Sequence, residues 1–202
     1  MTARVLILLL VLAGGCGETP PKLPRLADDA VVLSFGDSLT HGSGAQAARS
    51  YPAVLATLIG RTVIRSGVPG ELSRQGRERL GAELARHRPA LLILCHGAND
   101  MLRRRPLATM EENLIAMIGQ ARAQGAAVLL LGVPRPALLG LESAEVYQRV
   151  AAATGVPLLA DVMPRVLSDN RMKSDAFHPN AEGYAAVATA VAEFLREAGA
   201  VP

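Results

Sequence analysis

Five short runs of apolar and β-branched residues recur along the chain after position 30. They span 31–35, 62–65, 90–95, 126–132 and 157–160. Each has the length of a β-strand, and three of them are almost wholly apolar instead of alternating between apolar and polar residues. Continuous apolar strands are typical of a parallel sheet that helices cover on both faces. The pattern therefore predicts five buried, parallel strands.

Helical patterns fill the intervals between these strands. We predict helices over 74–87, 110–124, 144–153 and 181–198, with Ser73, Thr109, Ser143 and Asn180 as their respective N-caps. Thr109 and Glu112 also have the spacing of a capping box. The alternation of strands and helices indicates βαβ units and an open, doubly wound sheet. In such a sheet, functional residues lie at the carboxyl ends of the strands.

The first residues of the chain follow a different pattern. A positively charged start over 1–4 is followed by an apolar run over 5–13. This run has the length of a secretory signal but is shorter than the roughly 20 apolar residues that span a bilayer. We therefore predict a signal peptide over 1–15 and export of the mature protein.

The segment Leu-Ala-Gly-Gly-Cys over 12–16 resembles a bacterial lipoprotein signal, which implies a lipidated Cys16 and a protein anchored to the cell envelope. An ordinary cleaved signal peptide is the alternative, and it implies a soluble periplasmic or secreted protein. Three prolines within 16–29 favour extended backbone, so this stretch is predicted to link the anchor to a folded domain over 30–202. If Cys16 carries lipid, Cys95 has no partner for an intramolecular disulfide.

Composition and charge exclude several classes of protein. With 50% hydrophobic and 19% charged residues, the 202-residue chain has enough apolar material for a core and is not intrinsically disordered. The net charge of +3 comes from dispersed Lys and Arg without an aromatic-rich basic stripe, so we expect no nucleic acid partner. The four histidines lack the spacing of a metal site, and the sequence has no Gly-Lys-Ser or Gly-Lys-Thr phosphate loop. We therefore expect no cofactor.

One glycine-rich segment, 42–47, matches the dinucleotide-binding pattern Gly-x-Gly-x-x-Ala. Its first glycine lies seven residues beyond Phe35, whereas this pattern normally begins directly after the strand. The second predicted strand leads into Arg65 and Ser66, where a ribose-binding carboxylate would be expected. These differences make a nicotinamide or flavin enzyme the weaker alternative.

Residues with the chemistry of a serine hydrolase follow the first strand and precede the last helix. Ser38 lies in the loop Gly-Asp-Ser-Leu-Thr-His-Gly-Ser-Gly, directly after a buried strand. Asp175 and His178 are close enough in sequence for one tight turn to place both side chains on the same side of the backbone. A serine nucleophile needs a base, a carboxylate that orients the base and donors for the oxyanion. We interpret Ser38 as the nucleophile, His178 as the base and Asp175 as the carboxylate, although each segment taken alone favours a turn or a helix cap.

Four segments resemble the blocks of the SGNH or GDSL hydrolase family and occur in the same order. They are Ser-Phe-Gly-Asp-Ser-Leu-Thr over 34–40, Val-Pro-Gly-Glu over 68–71, Gly-Ala-Asn-Asp over 97–100 and Asp-Ala-Phe-His-Pro-Asn over 175–180. The second block of the family usually begins with Asn-Ala, whereas Arg65 and Ser66 occupy that place here. The resemblance implies a flavodoxin-like three-layer α/β/α sandwich with a five-stranded parallel sheet.

The resemblance also implies roles for individual residues. Ser38, Asp175 and His178 would form the catalytic triad. The backbone N–H groups of Ser38 and Gly70, together with the side-chain amide of Asn99, would bind the oxyanion.

The implied activity is that of a serine esterase, which cleaves carboxylic esters of lipid-like or small acyl substrates through an acyl-enzyme. The resemblance is greatest to bacterial esterases with lysophospholipase and acyl thioesterase activity. A lysolipid or other small ester is therefore the expected substrate, and the membrane is the expected partner through Cys16. A carbohydrate or peptidoglycan O-acetylesterase is the alternative enzyme, and a surface lipoprotein that binds without turnover is the alternative from another class.

Three adjacent cations, Arg103, Arg104 and Arg105, directly follow the third block and are expected at the carboxyl edge of the sheet. We hypothesise that they bind an anionic headgroup, such as the phosphate of a lysophospholipid, and a solvated charged loop is the alternative. His41 and His96 flank the expected site without a nearby acid to orient them, so we interpret both as pocket lining.

Overall fold

A parallel β-sheet forms the centre of the molecule. The computed structural model describes residues 22–137 and 140–202. Its strands are β1 (Val31–Gly36), β2 (Thr62–Gly67), β3 (Leu91–Cys95), β4 (Ala127–Leu131), β5 (Pro134–Ala137), β6 (Gly140–Ser143) and β7 (Leu158–Leu159). The parallel sheet has the order β2-β1-β3-β4-β7, whereas β5 and β6 form a separate antiparallel hairpin.

The strand order determines which loops meet. Without the hairpin, the five parallel strands follow the order that is typical of flavodoxin-like folds. β1 lies between β2 and β3, where Val32 pairs with Val63 on one side and with Leu91 on the other. The loops that leave the carboxyl ends of β1, β2 and β3 are therefore neighbours. The predicted α/β fold with five parallel strands is confirmed.

Helices flank this sheet. Within the described ranges they are α1 (Ser38–His41), α2 (Tyr51–Ile59), α3 (Ser73–His87), α4 (Ala98–Leu102), α5 (Leu107–Ala123), α6 (Glu145–Thr154), α7 (Val162–Ser168) and α8 (Ala181–Glu197). Helix α8 packs against α2 and α7, whereas α5 packs against α3 and α6. The helices thus form two packed groups.

The helix beginnings show which predicted caps are correct. Asn180 caps α8 by accepting a hydrogen bond from the N–H of Gly183 at 3.0 Å, as predicted. The other three predicted caps, Ser73, Thr109 and Ser143, are wrong. Helix α3 begins at Ser73 itself, α5 begins two residues before Thr109, and Ser143 belongs to β6. The expected capping box at Thr109 consequently lies inside a helix.

The structure adds elements that the sequence patterns did not predict, chiefly α2, α7 and the β5–β6 hairpin. The hairpin contains Pro134 and Pro136, and prolines disfavour the assignment of a strand because they cannot donate to a β-ladder. An isolated two-stranded hairpin tolerates them because both strands are edge strands.

The core is aliphatic, and β3 is buried along its whole length. Two tyrosines connect this core to loops at the carboxyl edge of the sheet. The buried hydroxyl of Tyr147 donates to the carbonyl of His96 at 2.8 Å, and the hydroxyl of Tyr184 donates to the carbonyl of Ser43 at 2.8 Å. These bonds satisfy the buried hydroxyls and fix the two loops relative to the core.

The N-terminal end of the described chain lies against its C-terminal end. The N–H of Leu23 donates to the carbonyl of Ala198 at 3.0 Å, and that of Leu26 donates to the carbonyl of Ala200 at 2.8 Å. The Leu26 side chain is buried in the core. The fold therefore includes part of the predicted linker 16–29 and extends beyond the predicted start at Ala30.

The predicted signal peptide over 1–15 and the lipidation site Cys16 lie outside the described residues. No helix within those residues is long and apolar enough to cross a membrane.

Candidate active site

Ser38 is presented by a tight junction between β1 and α1. Gly36 ends the strand, and a Cβ atom there would overlap the carbonyl of Cys95, so the close approach of β1 to β3 requires glycine. Asp37 then caps α1, because its Oδ1 accepts a hydrogen bond from the N–H of Leu39 at 3.1 Å. Burial raises the pKa of Asp37 above its ordinary value. The junction aims Ser38 into a cavity while Asp37 stays in the interior.

A chain of hydrogen bonds connects the three predicted triad residues. The Nε2 atom of His178 lies 3.0 Å from Oγ of Ser38. On the other side of the ring, Nδ1 lies 2.9 Å from Oδ2 and 3.0 Å from Oδ1 of Asp175. This is the geometry in which an imidazole can take the proton of a serine hydroxyl while a carboxylate fixes its tautomer.

The Asp175 carboxylate is itself held by the backbone of its turn. Its Oδ1 accepts hydrogen bonds from the N–H groups of Phe177 at 2.7 Å and His178 at 2.9 Å. Burial alone would raise the pKa of Asp175, but the hydrogen bonds from His178 and from these backbone groups lower it. Asp175 therefore remains ionised near neutral pH.

The turn that carries His178 is fixed at both ends. The N–H of Ser174 donates to the carbonyl of His178 at 2.9 Å, which closes the turn. Beyond it, Asn180 donates from its side chain to the carbonyl of Arg171 at 2.7 Å while its Oδ1 caps α8. The position of the imidazole is thus set by the start of a long helix.

Hydrogen-bond donors lie in the lining of the cavity that contains Ser38. A cavity of about 200 Å³ is lined by Ser38, Gly70, Asn99 and His178, among others. Within the described part of the chain, the N–H groups of Ser38 and Gly70 have no hydrogen-bond acceptor. The side-chain amide of Asn99 donates to the carbonyl of Glu71 at 3.1 Å, which leaves its second N–H for another acceptor. These donors could stabilise an oxyanion formed at Ser38.

A second, larger cavity of about 440 Å³ adjoins the first, and the two share Leu39, Ala98, Leu102 and Phe177 in their walls. The side chains of Leu102 and Phe177 are 54% and 53% exposed, so the shared region is open to solvent. The remaining wall is mainly apolar and includes Met101, Val133, Leu141 and Leu167. This space suits an aliphatic chain.

The sequence patterns did not indicate a largely buried polar cluster next to Gly70 and Asn99, which we call the Glu71 cluster. It consists of Ser66, Glu71, Arg79 and His96. Each residue is ordinary in its local sequence, and the cluster forms only because the ends of β2 and β3 meet the first turns of α3. The interpretation of His96 as pocket lining is wrong, because its side chain is fully buried and bonded to Glu71. His41 is exposed at the end of α1 and does not line the Ser38 cavity either.

The three predicted headgroup-binding arginines are all exposed and have different surroundings. Arg103 donates to the carbonyl of Gly70 at 3.1 Å, so it contacts the loop that lines the Ser38 cavity. Arg104 lines the larger cavity. The backbone N–H of Arg105 donates to the carbonyl of Asp100 at 2.8 Å.

The chain is similar to known hydrolases in sequence and in fold. A model of the GDSL-like lipase/acylhydrolase family matches residues 34–186. The chain belongs to this family. This GDSL hydrolase is 31% identical to esterase TesA of Pseudomonas aeruginosa over 167 residues, which cover 78% of the chain and 83% of the relative. It is also 31% identical to thioesterase 1/protease 1/lysophospholipase L1 of Escherichia coli K12 over 179 residues, which cover 85% and 86% of the two chains.

The crystal structure of TesA superposes on this GDSL hydrolase with a TM-score of 0.76 at 29% sequence identity, and the match covers 83% of the chain and 99% of TesA. The predicted resemblance to the SGNH or GDSL hydrolases is therefore confirmed. Family membership and the esterase relatives identify the chain as a serine hydrolase of ester bonds.

Proposed function

We propose that this GDSL hydrolase cleaves carboxylic esters of lipid-like acyl substrates, as an arylesterase or lysophospholipase does, through a Ser38–His178–Asp175 triad and an acyl-enzyme. The observation that carries the proposal is the continuous hydrogen-bonded chain from Oγ of Ser38 through the imidazole to the Asp175 carboxylate. Ser38 and His178 line a cavity whose wall also contains hydrogen-bond donors that have no acceptor among the described residues.

In the first half-reaction, Oγ of Ser38 attacks the carbonyl carbon of the ester while its proton passes to Nε2 of His178. The carbonyl π electrons move to oxygen and give a tetrahedral oxyanion. When this intermediate collapses, the bond to the leaving oxygen breaks and His178 protonates the departing alcohol. Asp175 stabilises the imidazolium throughout because it stays ionised.

In the second half-reaction, water attacks the acyl-enzyme and gives its proton to His178. A second oxyanion forms and collapses to release the carboxylic acid, and the proton returns from His178 to Ser38. Both oxyanions would be stabilised by the N–H groups of Ser38 and Gly70 and by the free side-chain N–H of Asn99. No cofactor takes part in either step.

The size and the apolar walls of the larger cavity support a substrate with an aliphatic acyl group. Its volume of about 440 Å³ lies in the range of small-molecule sites, and its walls are mainly apolar. A carbohydrate O-acetylesterase, the alternative enzyme, would leave most of this apolar space unfilled. The exposed arginines beside it would bind an anionic headgroup.

We further propose that the protein is exported under the direction of a signal peptide over 1–15 and anchored to the cell envelope by lipid on Cys16, with residues beyond Cys16 as the tether. The apolar run and the lipoprotein-like segment over 12–16 support this proposal. A soluble periplasmic or secreted form is the alternative.

The proposed activity is tested by a rate profile across p-nitrophenyl esters of increasing chain length, measured beside an acetylated glycan. The proposal predicts that kcat/KM rises from acetyl to medium acyl chains and that the glycan is a poor substrate. Activity on acetyl groups alone would favour the O-acetylesterase, and the absence of hydrolysis of any ester would favour a binding protein without turnover.

A further inference from the structure

The Glu71 cluster is a buried charged group that no step of the proposed mechanism uses. The Glu71 carboxylate accepts hydrogen bonds from Nε and Nη2 of Arg79, each at 2.8 Å. It also lies 3.1 Å from Nε2 of His96. The side chains of His96 and Glu71 are 0% and 6% exposed, so this contact is shielded from water.

The protonation states within the cluster follow from its contacts. Burial alone would raise the pKa of Glu71, but the hydrogen bonds and charge of Arg79 and the hydrogen bond of His96 lower it to about 2. Glu71 is therefore a carboxylate, which only accepts hydrogen bonds, so Nε2 of His96 must carry the proton. Nδ1 of His96 has no partner among the described residues, so Nε2 makes the one hydrogen bond of the imidazole.

The cluster is joined directly to two of the proposed oxyanion donors. Glu71 follows Gly70, and the carbonyl of Glu71 accepts the hydrogen bond from the side chain of Asn99. Asn99 in turn follows His96 by three residues and lies in the first turn of α4. Contacts therefore run in a closed ring from the Glu71 carboxylate to His96, along the backbone to Asn99, and from its amide back to the Glu71 carbonyl.

His96 and Arg79 are both packed against neighbouring elements. A Cβ atom on Gly76 would overlap the imidazole of His96, so α3 contacts this imidazole as closely as its backbone allows. Arg79 also donates to Oγ of Ser66 at 2.6 Å and stacks over Phe35 with a distance of 4.1 Å to the ring centroid. Ser66 belongs to the segment that departs from the second block of the family, and here its hydroxyl supports Arg79.

We propose that His96 and Arg79 are positioning residues for ester hydrolysis, which act through the Glu71 carboxylate to hold the Gly70 N–H and the Asn99 amide in place. The inference rests on the proposed function, because it assigns these two groups to the oxyanion. Oxyanion donors accelerate a reaction when they are fixed before the charge develops. Loss of one donor leaves an oxygen of this buried carboxylate without a hydrogen bond, and because Glu71 directly follows Gly70 we expect the Gly70 N–H to shift.

The first test compares His96→Leu with His96→Gln on a p-nitrophenyl ester that the wild type hydrolyses. Leu removes the donor to Glu71, whereas the amide of Gln can replace it. We expect H96L to lower kcat about 10-fold with KM within about twofold of wild type, and H96Q to recover most of the lost rate. Val191→Ala, a buried substitution in α8, is the control, since it lowers the melting temperature but should leave kcat unchanged.

The second test asks whether the effect passes through Glu71. Glu71→Gln and Arg79→Gln should each lower kcat about 10-fold, and H96L combined with E71Q should lose little more than E71Q alone, because the two changes break one connection. Gly76→Ala should lower kcat as well, since the new methyl group displaces the imidazole without altering its chemistry. If H96L does not fold, the kcat values of H96Q, R79Q and G76A are compared instead. We then expect R79Q and G76A to have a lower kcat than H96Q.

The inference is overturned if H96L has the wild-type kcat, if H96Q is as impaired as H96L, or if V191A loses as much activity as H96L. It is also overturned if the effects of H96L and E71Q multiply independently. These outcomes leave the proposed function intact as long as the measured rate depends on Ser38. A wild type without any Ser38-dependent rate would instead overturn the proposed function, and this inference with it.

Discussion

Nε2 of His178 lies 3.0 Å from Oγ of Ser38, although the two residues are 140 positions apart in the sequence. One is presented at the end of the first strand, and the other is carried by a turn that lies directly before Asn180, the cap of the final helix. The approach of the imidazole to the hydroxyl therefore depends on where the fold places the end of β1 and the start of α8.

Asp175→Asn should lower kcat by roughly 10³- to 10⁴-fold without loss of structure. An Asn side chain keeps the shape of the carboxylate but does not stabilise the imidazolium, and it favours the wrong tautomer of His178. Steady-state kinetics and circular dichroism measure the two quantities. Asp161→Asn, an exposed change before α7, is the matched control and should retain the wild-type rate. A D175N variant within tenfold of wild type would contradict the assigned role.

The larger cavity should determine acyl-chain length. Val133 lines this cavity but not the cavity around Ser38. Val133→Phe should lower kcat/KM for long-chain p-nitrophenyl esters about 10-fold or more while the acetyl ester is little affected, because the added ring occupies space for the chain. Val133→Ala, which enlarges the same site, should not reduce long-chain activity. Equal losses on short and long esters in V133F would show that the acyl chain binds elsewhere.

The arginine hypothesis predicts a difference between charged and neutral substrates. Replacing Arg104 and Arg105 by Gln should raise KM for an anionic lysolipid about 10-fold at low salt, and the effect should shrink as salt screens the charges. KM for a neutral p-nitrophenyl ester should barely change. Arg103 is left intact because it contacts Gly70, although its replacement in a triple variant should weaken lysolipid binding further.

Arg86→Gln, an exposed change at the far end of α3, is the control for this experiment and should leave both KM values unchanged. If the Arg104 and Arg105 variant impairs both substrates equally, or neither, the arginines form a solvated loop and not a headgroup site.

The sequence predicts features whose residues lie close together in the chain better than contacts between residues that lie far apart in it. Runs of apolar and β-branched residues predicted all five parallel strands. Burial on both faces leaves such a local signature in β1, β3 and β4, whereas β2 and β7 are only partly buried. The hydrogen bond between Asn180 and Gly183 was predictable for the same reason, since both partners lie in one turn. The cap assigned to Thr109 failed because the helix already begins at Leu107, directly after Pro106.

Long-range polar contacts were harder to predict. His96 has the polarity of a surface or pocket residue, and its partner Glu71 lies 25 positions earlier on another loop. Only the order of the strands brings the two together, and nothing in the local pattern of either residue indicates a buried pair. The contacts among Ser38, Asp175 and His178 could be predicted, although Ser38 is far from the other two in the sequence, because their segments resemble known blocks, which carry the long-range information.

Cys16→Ser should release the protein from the membrane fraction, and the specific activity of the purified enzyme should not change. Residues beyond Cys16 separate the proposed lipid from the catalytic loops, so anchoring and hydrolysis should be separable. Fractionation followed by immunoblotting, with and without detergent, measures the distribution. A C16S protein that still needs detergent for extraction would rule out lipid on Cys16 as the anchor.

Covalent labelling by a fluorophosphonate probe tests whether Ser38 is the nucleophile. We expect mass spectrometry to find the adduct on Ser38 in the wild type. We further expect Ser38→Ala to abolish labelling and to lower ester hydrolysis by roughly 10³-fold or more with an unchanged circular dichroism spectrum. Ser168→Ala, an exposed change at the end of α7, should label like the wild type. Undiminished labelling or hydrolysis in a folded S38A protein, or an adduct on another residue, would show that Ser38 is not the nucleophile.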